Sequence, residues 1–194
     1  MKQSDIYKLH KKYSTNEKML EIGWNHSLII RNISLQIADN LEKKYGIKTD
    51  KKLIETGALI HDIGFYAYFD KKYQKIKDNY VEHGIVGYKT LKKENFSEHE
   101  SRFALTHVGI GYKNYFPITL EEEIVAYADN FHSKGHPSFD TFGEIVEEMK
   151  KHNPNAEVIL NRLKDKFGIP DLKQLKKQYK KWHKEINEWI DSVK

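Results

Sequence analysis

The chain has 194 residues, of which 39% are hydrophobic and 31% are charged, a balance typical of a globular protein with a buried core. Its net charge of +5 comes mainly from dispersed lysines, with arginine only at positions 31, 102 and 162, so a nucleic-acid partner is not expected. No apolar run reaches the roughly 20 residues that span a bilayer, which excludes a membrane-spanning helix.

Cysteine is absent, so the chain has neither disulfides nor thiolate metal ligands. The first five residues lack the apolar segment of a secretory signal, and we expect a cytoplasmic protein. Apolar residues recur at the helical spacing i, i+3, i+4 and i+7, and no alternating run competes with that pattern. The sequence therefore predicts an all-α fold, which its length suits to a single domain over residues 1–194.

The N-terminal part of the chain contains three predicted helices and one shorter helical segment. Ser4 is a suitable N-cap for a helix that ends near Tyr13, and residues 16–22 are predicted to form one or two further turns. Asp50 is a suitable cap for a helix that leads into residue 61. Between residue 22 and Asp50, a long helix is expected over residues 24–44. Its inward stripe comprises Leu28, Ile29, Ile33, Ile37, Ala38 and Leu41.

Further helices are predicted after a loop over residues 65–78. One covers residues 80–94. A capping box at Ser97 starts the next, which should end at His107 before a glycine-containing turn at 109–111. A second capping box at Thr119 starts a helix that should end at Asp129. Three C-terminal helices are expected over 140–151, 155–167 and 171–191 and should pack on the core motif region, residues 20–135. The last helix has a broad apolar stripe for that packing, with a homodimer face as the alternative: Leu172, Leu175, Tyr179, Trp182, Ile186, Trp189 and Ile190.

Six polar residues lie within or at the end of apolar helical stretches. Helix bundles build metal sites from side chains on facing helices, and the spacing of these residues, about one helix and its connection, suits that arrangement. Imidazole and carboxylate together suit iron, manganese, cobalt, nickel or zinc. One ion would not use all the ligands, whereas two ions bridged by Asp62 would. The six residues are His26, His61, Asp62, His83, His107 and Asp129.

Taken alone, a histidine on such a helix is more often a buried, hydrogen-bonded side chain than a metal ligand, and Asp129 also suits an ordinary helix end. Only the joint pattern predicts a metal site. The remaining histidines lie on faces rich in lysine or glutamate, or in the polar segment after Asp129. We expect a surface location for four of them, namely His10, His99, His152 and His183.

In this order the residues resemble the motif of the HD superfamily of metal-dependent phosphohydrolases, and especially its small HDIG-type members. The first histidine of that motif falls on His26, the His-Asp doublet on His61 and Asp62 within the run 61–64, and the last aspartate on Asp129. The resemblance covers about residues 20–135 and implies an all-α helical bundle with a metal site in its core.

Two further histidines, His83 and His107, make the chain similar to the dinuclear subgroup, which includes diadenosine-tetraphosphate hydrolases. The resemblance implies hydrolysis of a phosphoester or phosphoanhydride in a nucleotide or small phosphorylated metabolite by metal-activated water, with His61 and Asp62 central to catalysis. One ion would be held by His26, His61, Asp62 and Asp129, and the other by Asp62, His83 and His107. A dinuclear-iron oxygenase and a non-catalytic metal- or nucleotide-binding module remain the alternatives.

The sequence departs from many relatives at the position after the HDIG glycine, where a lysine or arginine that helps to hold phosphate is replaced by Phe65. Lys71, Lys72 or Lys134 would have to supply that charge. We therefore expect substrate contacts from the polar segment after Asp129 and from the turn after residue 111, made by His132, Lys134 and Lys113.

Overall fold

The structure is a computed structural model that describes residues 2–72, 74–108, 112–134 and 139–193. The expected all-α fold is confirmed, since the β-type pairing within these ranges is one isolated bridge between Phe69 and Lys75. None of the described helices is long and apolar enough to cross a membrane. The helices are Gln3–Tyr13 (α1), Glu17–Tyr45 (α2), Lys51–Ile60 (α3), His83–Lys93 (α4), Glu98–Thr106 (α5), Leu120–Asp129 (α6), Phe142–Lys150 (α7), Ala156–Phe167 (α8) and Leu172–Val193 (α9).

Helix α2 is the element around which the others pack. Its predicted inward stripe is confirmed, because all six side chains are at most 3% exposed. The helix contacts α1, α3, α6 and α9, which surround it. The predicted break near residue 23 is wrong, because the helix runs without interruption from Glu17 to Tyr45. Gly23 serves close packing instead, since a Cβ there would lie 2.5 Å from Tyr66 Oη.

Side-chain caps place most helix starts where the sequence predicts them. The Asp50 carboxylate accepts from Leu53 N, and Ser97 forms the complete capping box with Glu100. The Thr119 hydroxyl accepts from Glu122 N as expected, but the box is incomplete because the Glu122 carboxylate accepts from Ile118 N instead.

One prediction about a helix start needs correction, and one about a helix end falls on residues that the structure does not describe. The N-cap of α1 is Lys2, without a side-chain bond, so Ser4 lies inside the first turn rather than capping it. The glycines expected to end α5, at 109 and 111, lie outside the described residues.

The stretch after the His-Asp doublet is more ordered than predicted. Residues 63–68, expected in part as a loop, form a 3₁₀ helix that is mostly buried. Gly64 permits this path, because a Cβ there would lie 2.0 Å from the His83 carbonyl oxygen and 2.5 Å from Gly87 N. The start of α4 is thereby packed directly against the turn that carries Asp62.

The C-terminal helices pack on the N-terminal part of the chain. Leu175, Tyr179 and Trp182 of α9 are buried, and the Tyr179 hydroxyl donates to the Phe131 carbonyl at 2.8 Å. Leu172 is half-buried against the core, and the side chains of the last three stripe residues, Ile186, Trp189 and Ile190, lie outside the described part of the structure, as does that of His183. A homodimer face on this helix stays a prediction.

His10 is a clear exception to the surface location predicted for four histidines. Its side chain is 1% exposed, in contact with Trp24 and Tyr66, whereas His99 and His152 are exposed as expected. Burial lowers the pKa of His10 to about 4, so the imidazole is neutral at physiological pH. The lysines around His10 in the sequence are exposed, while the histidine itself points inward.

The packing at Gly64 predicts a strong effect of a single methyl group. Gly64→Ala should lower the free energy of unfolding by about 3 kcal/mol, because the obstructing atoms are backbone and cannot rotate away. Urea unfolding of the metal-free protein measures the difference.

The matched control is Gly143→Ala in the first turn of α7, where the nearest heavy atom to the new Cβ is 3.7 Å away. This variant should have a free energy of unfolding about 0.5 kcal/mol higher, because alanine reduces the conformational entropy of the unfolded chain. Equal midpoints for the two alanine variants would show that the contact between the 63–68 turn and α4 does not constrain the fold.

Candidate metal centre

The six predicted ligands meet in space because each lies near the end of a helix or on the inward face of α2. His26 lies inside α2, whereas His61 is the C-cap of α3, with Asp62 following it. His83 begins α4, His107 is the C-cap of α5 and Asp129 ends α6. Five of the six are buried, and the Asp129 side chain is 23% exposed.

The ligand atoms form two groups, each with the spread expected around one ion. In the first, His26 Nε2 and His61 Nε2 are 3.3 Å apart, and Asp129 Oδ1 lies 3.0 and 3.4 Å from them. All pairs of ligand atoms in this group lie within 4.8 Å of one another. Two imidazoles and one carboxylate make a donor set that suits a divalent transition metal.

The second group consists of Asp62, His83 and His107. His83 Nε2 lies 2.9 Å from His107 Nε2 and 3.2 Å from Asp62 Oδ1. The other carboxylate oxygen, Asp62 Oδ2, lies 3.8 Å from His26 Nε2 in the first group. Asp62 therefore stands between the two groups with one oxygen toward each, as a bridging carboxylate would.

Backbone carbonyls fix the tautomers of three histidines. The Nδ1 atoms of His61, His83 and His107 lie 2.7, 2.6 and 3.2 Å from the carbonyl oxygens of residues 58, 80 and 103. A carbonyl can only accept, so each Nδ1 carries the hydrogen and each Nε2 of a neutral ring presents a lone pair. Support of this kind from behind is usual for histidines that bind metals.

The facing lone pairs require a positive charge between them. His83 Nε2 and His107 Nε2 are 2.9 Å apart, and two unprotonated nitrogens repel at that distance. A proton or a metal ion would make the approach favourable. Burial lowers the pKa of His107 to about 3, which disfavours a proton on that ring. A metal ion is the cation that this donor set fits.

The charge states of the other ligands also suit a cation. Burial lowers the pKa of His26 to about 4. Burial alone would raise the pKa values of both aspartates, but Lys134 and His83 hold the pKa of Asp62 well below its usual range, and His26 and His61 do so for Asp129. Ionised carboxylates and neutral imidazoles are the forms that bind metals.

His61 differs from the other rings in this respect. Burial alone would lower its pKa, but the hydrogen bond to Asp129 and the negative charges of Asp129 and Asp62 together outweigh burial and raise the pKa. A proton carried by His61 Nε2 must therefore leave when a metal ion binds there, which makes metal uptake dependent on pH.

Lys134 is the basic residue that pairs with the Asp62 carboxylate. Its ammonium pairs with Asp62 Oδ2 and lies 5.2 Å from the centre of the Phe65 ring. Burial alone would lower the pKa of Lys134, but Asp62 raises it, so the side chain is charged. Lys71 and Lys72, the other two candidates for this role, are exposed and do not line the cavity above the ligand groups.

A cavity of about 560 Å³ opens above the ligand groups. Four of the six ligands line it, together with Lys134 and His132, and its outer part carries Lys75, Glu148 and His152. Much of the wall is aromatic or aliphatic, formed by Phe65, Phe69, Tyr80, Val81, Val108, Phe139, Ile145 and Met149. Its size and mixed lining are those of a site for a small molecule.

The three predicted substrate contacts occupy different positions. Lys134 lines the cavity beside Asp62. His132 lines it too, but it is 5% exposed and its Nδ1 lies 2.9 Å from His26 Nδ1, behind that ligand. Lys113 lies outside the lining, where it is paired with Glu82 at 2.5 Å. Substrate contact by any of the three stays a prediction.

Tyr80 is a site residue that the sequence did not reveal. Its ring is stacked on His83, with centroids 4.6 Å apart and an angle of 30° between the planes. It also lines the cavity, and burial strongly raises the pKa of its hydroxyl, which is therefore neutral. The only signal in the sequence was its position, three residues before the candidate ligand His83. That position does not distinguish Tyr80 from the other tyrosines among the 12 in the chain.

Comparison with known proteins identifies the family model for the HD domain, which matches residues 23–134. An uncharacterized protein of Methanocaldococcus jannaschii is 30% identical over 149 residues, which cover 70% of this chain and 82% of that protein. No solved structure gives a significant match.

Two relatives with named activities match over a smaller part of their length. A tRNA (cytidine(56)-2'-O)-methyltransferase of Picrophilus torridus is 31% identical over 71% of this chain, but the match covers 40% of that protein. A dihydroneopterin 2',3'-cyclic phosphate phosphodiesterase of M. jannaschii is 28% identical over 62% of this chain and 53% of that protein. This chain therefore spans about half or less of each of these two proteins.

The geometry predicts two divalent ions per chain. Elemental analysis of protein incubated with manganese, iron, cobalt, nickel or zinc and then desalted should find two equivalents of a preferred metal. His107→Gln should reduce this to about one, because it removes a ligand from the second group only.

Exposed His99 supplies the control, since His99→Gln should leave two ions bound. Metal content that is the same in both variants and the unmodified protein would contradict binding at His107.

Proposed function

This chain belongs to the HD-domain family, and on that premise we propose that it is a metal-dependent phosphohydrolase. Its substrate would be a nucleotide or another small metabolite, cleaved at a phosphoester or phosphoanhydride bond. The observation that supports the proposal is the pair of ligand groups beside a cavity large enough for such a molecule, with Asp62 in one group and 3.8 Å from His26 of the other.

Each ligand has a distinct part in this proposal. His26, His61 and Asp129 would hold one ion, His83 and His107 the other, and Asp62 both. Divalent ions in these positions would activate a water molecule and neutralise charge on the phosphoryl oxygens. The carbonyl bonds behind His61, His83 and His107 would hold the imidazoles in their orientation for metal binding.

Lys134 would take over the phosphate contact that Phe65 cannot make. The lysine is charged and lines the cavity next to Asp62, so its ammonium is within reach of a phosphoryl group bound at the ions. Phe65 keeps an apolar ring below the ammonium, which strengthens the electrostatic effect of that one positive charge.

The cavity wall favours a substrate with a planar ring. Phe65, Phe69 and Tyr80 form one aromatic cluster, with ring centroids 5.0 to 6.5 Å apart, and Phe139 and Met149 also line the space. Aromatic and apolar side chains suit the faces of a heterocycle. The relative named as a dihydroneopterin cyclic phosphate phosphodiesterase supports a cyclic phosphodiester of a ring-bearing metabolite as one candidate.

A non-catalytic role is the second candidate. The match to part of a tRNA methyltransferase shows that related sequence also occurs within a larger protein named for another reaction, which favours a metal- or nucleotide-binding module. Metal-loaded protein that binds nucleotides but leaves every phosphoester intact would support that role. The dinuclear-iron oxygenase would instead be identified by oxygen uptake and a mixed-valence signal.

Asp62→Ala should abolish both metal binding and hydrolysis, because the carboxylate lies between both ligand groups. The assay is a panel of nucleotides, dinucleoside polyphosphates, 2',3'-cyclic phosphates and bis(p-nitrophenyl) phosphate with each candidate metal. Exposed Asp165 gives the control variant Asp165→Ala, which should behave as the unmodified protein. Full activity in Asp62→Ala would place the reaction elsewhere.

Lys134→Ala should raise KM by about 10-fold or more, since a charge-assisted hydrogen bond to phosphate is worth roughly 1.5–3 kcal/mol. Lys134→Arg should recover part of that loss. Lys72→Ala, which removes an exposed lysine outside the cavity, is the matched control. Measured with His132→Ala, unchanged KM values for both variants would exclude substrate contact by this segment.

A further inference from the structure

His10 connects helix α1 to the metal-binding turn. Helix α1 lies outside the region that matches the HD-domain model, so this contact is an addition to the matched domain. His10 Nε2 lies 2.7 Å from the Leu59 carbonyl oxygen, and His10 Nδ1 lies 2.8 Å from the Tyr66 hydroxyl. Both bonds are buried.

These two partners lie on either side of the His-Asp doublet. Leu59 comes two residues before His61, and Tyr66 comes four residues after Asp62. A carbonyl can only accept, so His10 Nε2 carries the hydrogen and Nδ1 accepts from the tyrosine hydroxyl. One neutral imidazole thus bonds to the backbone before the doublet and to the side chain of the turn after it.

The bond to Leu59 also satisfies the end of α3. The last four carbonyls of a helix lack partners within it. Here the Gly57 carbonyl accepts from His61 N, the Ala58 carbonyl accepts from His61 Nδ1, and the Leu59 carbonyl accepts from His10. The direction in which the chain leaves α3, and with it the placement of both ligands, depends on these three bonds.

The position of Tyr66 is fixed independently. Its side chain is 2% exposed, and its hydroxyl lies against Gly23, where a Cβ would be 2.5 Å away. The His10 ring packs edge-on against Trp24 at a centroid distance of 5.1 Å. Residues 23 and 24 precede the ligand His26 on α2, so the contact joins the helix that carries one ligand to the turn that carries two others.

We propose that His10 is a positioning residue for the metal centre, which holds the His61-Asp62 turn in its ligand geometry through Leu59 and Tyr66. The role rests on the metal site of the proposed function, but not on the identity of the substrate. A leucine at this position would fill similar space while leaving the Leu59 carbonyl and the Tyr66 hydroxyl without their partner.

Cobalt(II) binding tests the role without any substrate. Metal-free protein is titrated with Co²⁺ in the presence of a competing chelator, and the visible absorption bands report both affinity and ligand geometry. His10→Leu should weaken Co²⁺ binding about 10-fold, the lower end of the effect seen for residues that support metal ligands. Tyr66→Phe, which removes only one hydroxyl, should weaken Co²⁺ binding by a smaller factor. This variant tests the same contact if His10→Leu does not fold.

Two further variants separate positioning from stability. His10→Gln keeps one donor and one acceptor and should bind Co²⁺ within about threefold of the unmodified protein. Leu9→Ala removes buried packing from the same helix and should lower the melting temperature while leaving Co²⁺ affinity unchanged.

Co²⁺ affinity and spectrum in both His10→Leu and Tyr66→Phe equal to those of the unmodified protein would overturn the role of His10 and leave the metal site intact. Equal weakening in Leu9→Ala and His10→Leu would also overturn it, since the effect would then follow stability alone. An unmodified protein that binds no Co²⁺, nor any of the other candidate metals, would remove the proposed metal centre itself.

Discussion

The arrangement of the whole site follows from one electrostatic constraint. Imidazole lone pairs and carboxylates that would repel one another are held together in the interior, with His83 Nε2 and His107 Nε2 2.9 Å apart. Isolated charges and unpaired polar groups are costly to bury, so cations bound among these groups would stabilise the cluster. Lys134 supplies one positive charge at Asp62, and the two ligand groups have the composition to accept two more in the form of metal ions.

Most of the candidate ligands lie at helix ends. Three of the helices end at, or one residue from, a ligand on their C-terminal side, and α4 begins with one. Carbonyls near those ends, which lack helical partners, accept from the imidazole Nδ1 atoms and thereby orient the opposite nitrogens inward. Carbonyl groups that lack partners within a helix thus orient the imidazoles of the candidate metal centre. The continuous helix α2 gives the other helices a common packing surface.

Much of this was accessible from the sequence because the signals were local. Ligand positions at helix ends, the cap at Asp50 and the box at Ser97 depend on residues within one or two turns of each other. Contacts between distant segments gave no such signal. The sequence predicts separate helical segments on the two sides of residue 23, whereas Gly23 packs against Tyr66, 43 positions away. It likewise predicts a surface position for His10, whose partners Leu59 and Tyr66 are distant in the chain. Tyr80 likewise has no local pattern that separates it from other aromatic residues.

The account is tested most directly by anomalous X-ray diffraction from crystals of the metal-loaded protein, which locates ions independently of any activity. Two anomalous peaks per chain are expected, one about 2.0–2.2 Å from the ligand atoms of His26, His61 and Asp129 and the other at that distance from His83 and His107. An Asp62 oxygen should lie within the same distance of each. Crystals without a peak at either group, in which His83 Nε2 and His107 Nε2 remain 2.9 Å apart, would show that no metal ion lies between these ligands.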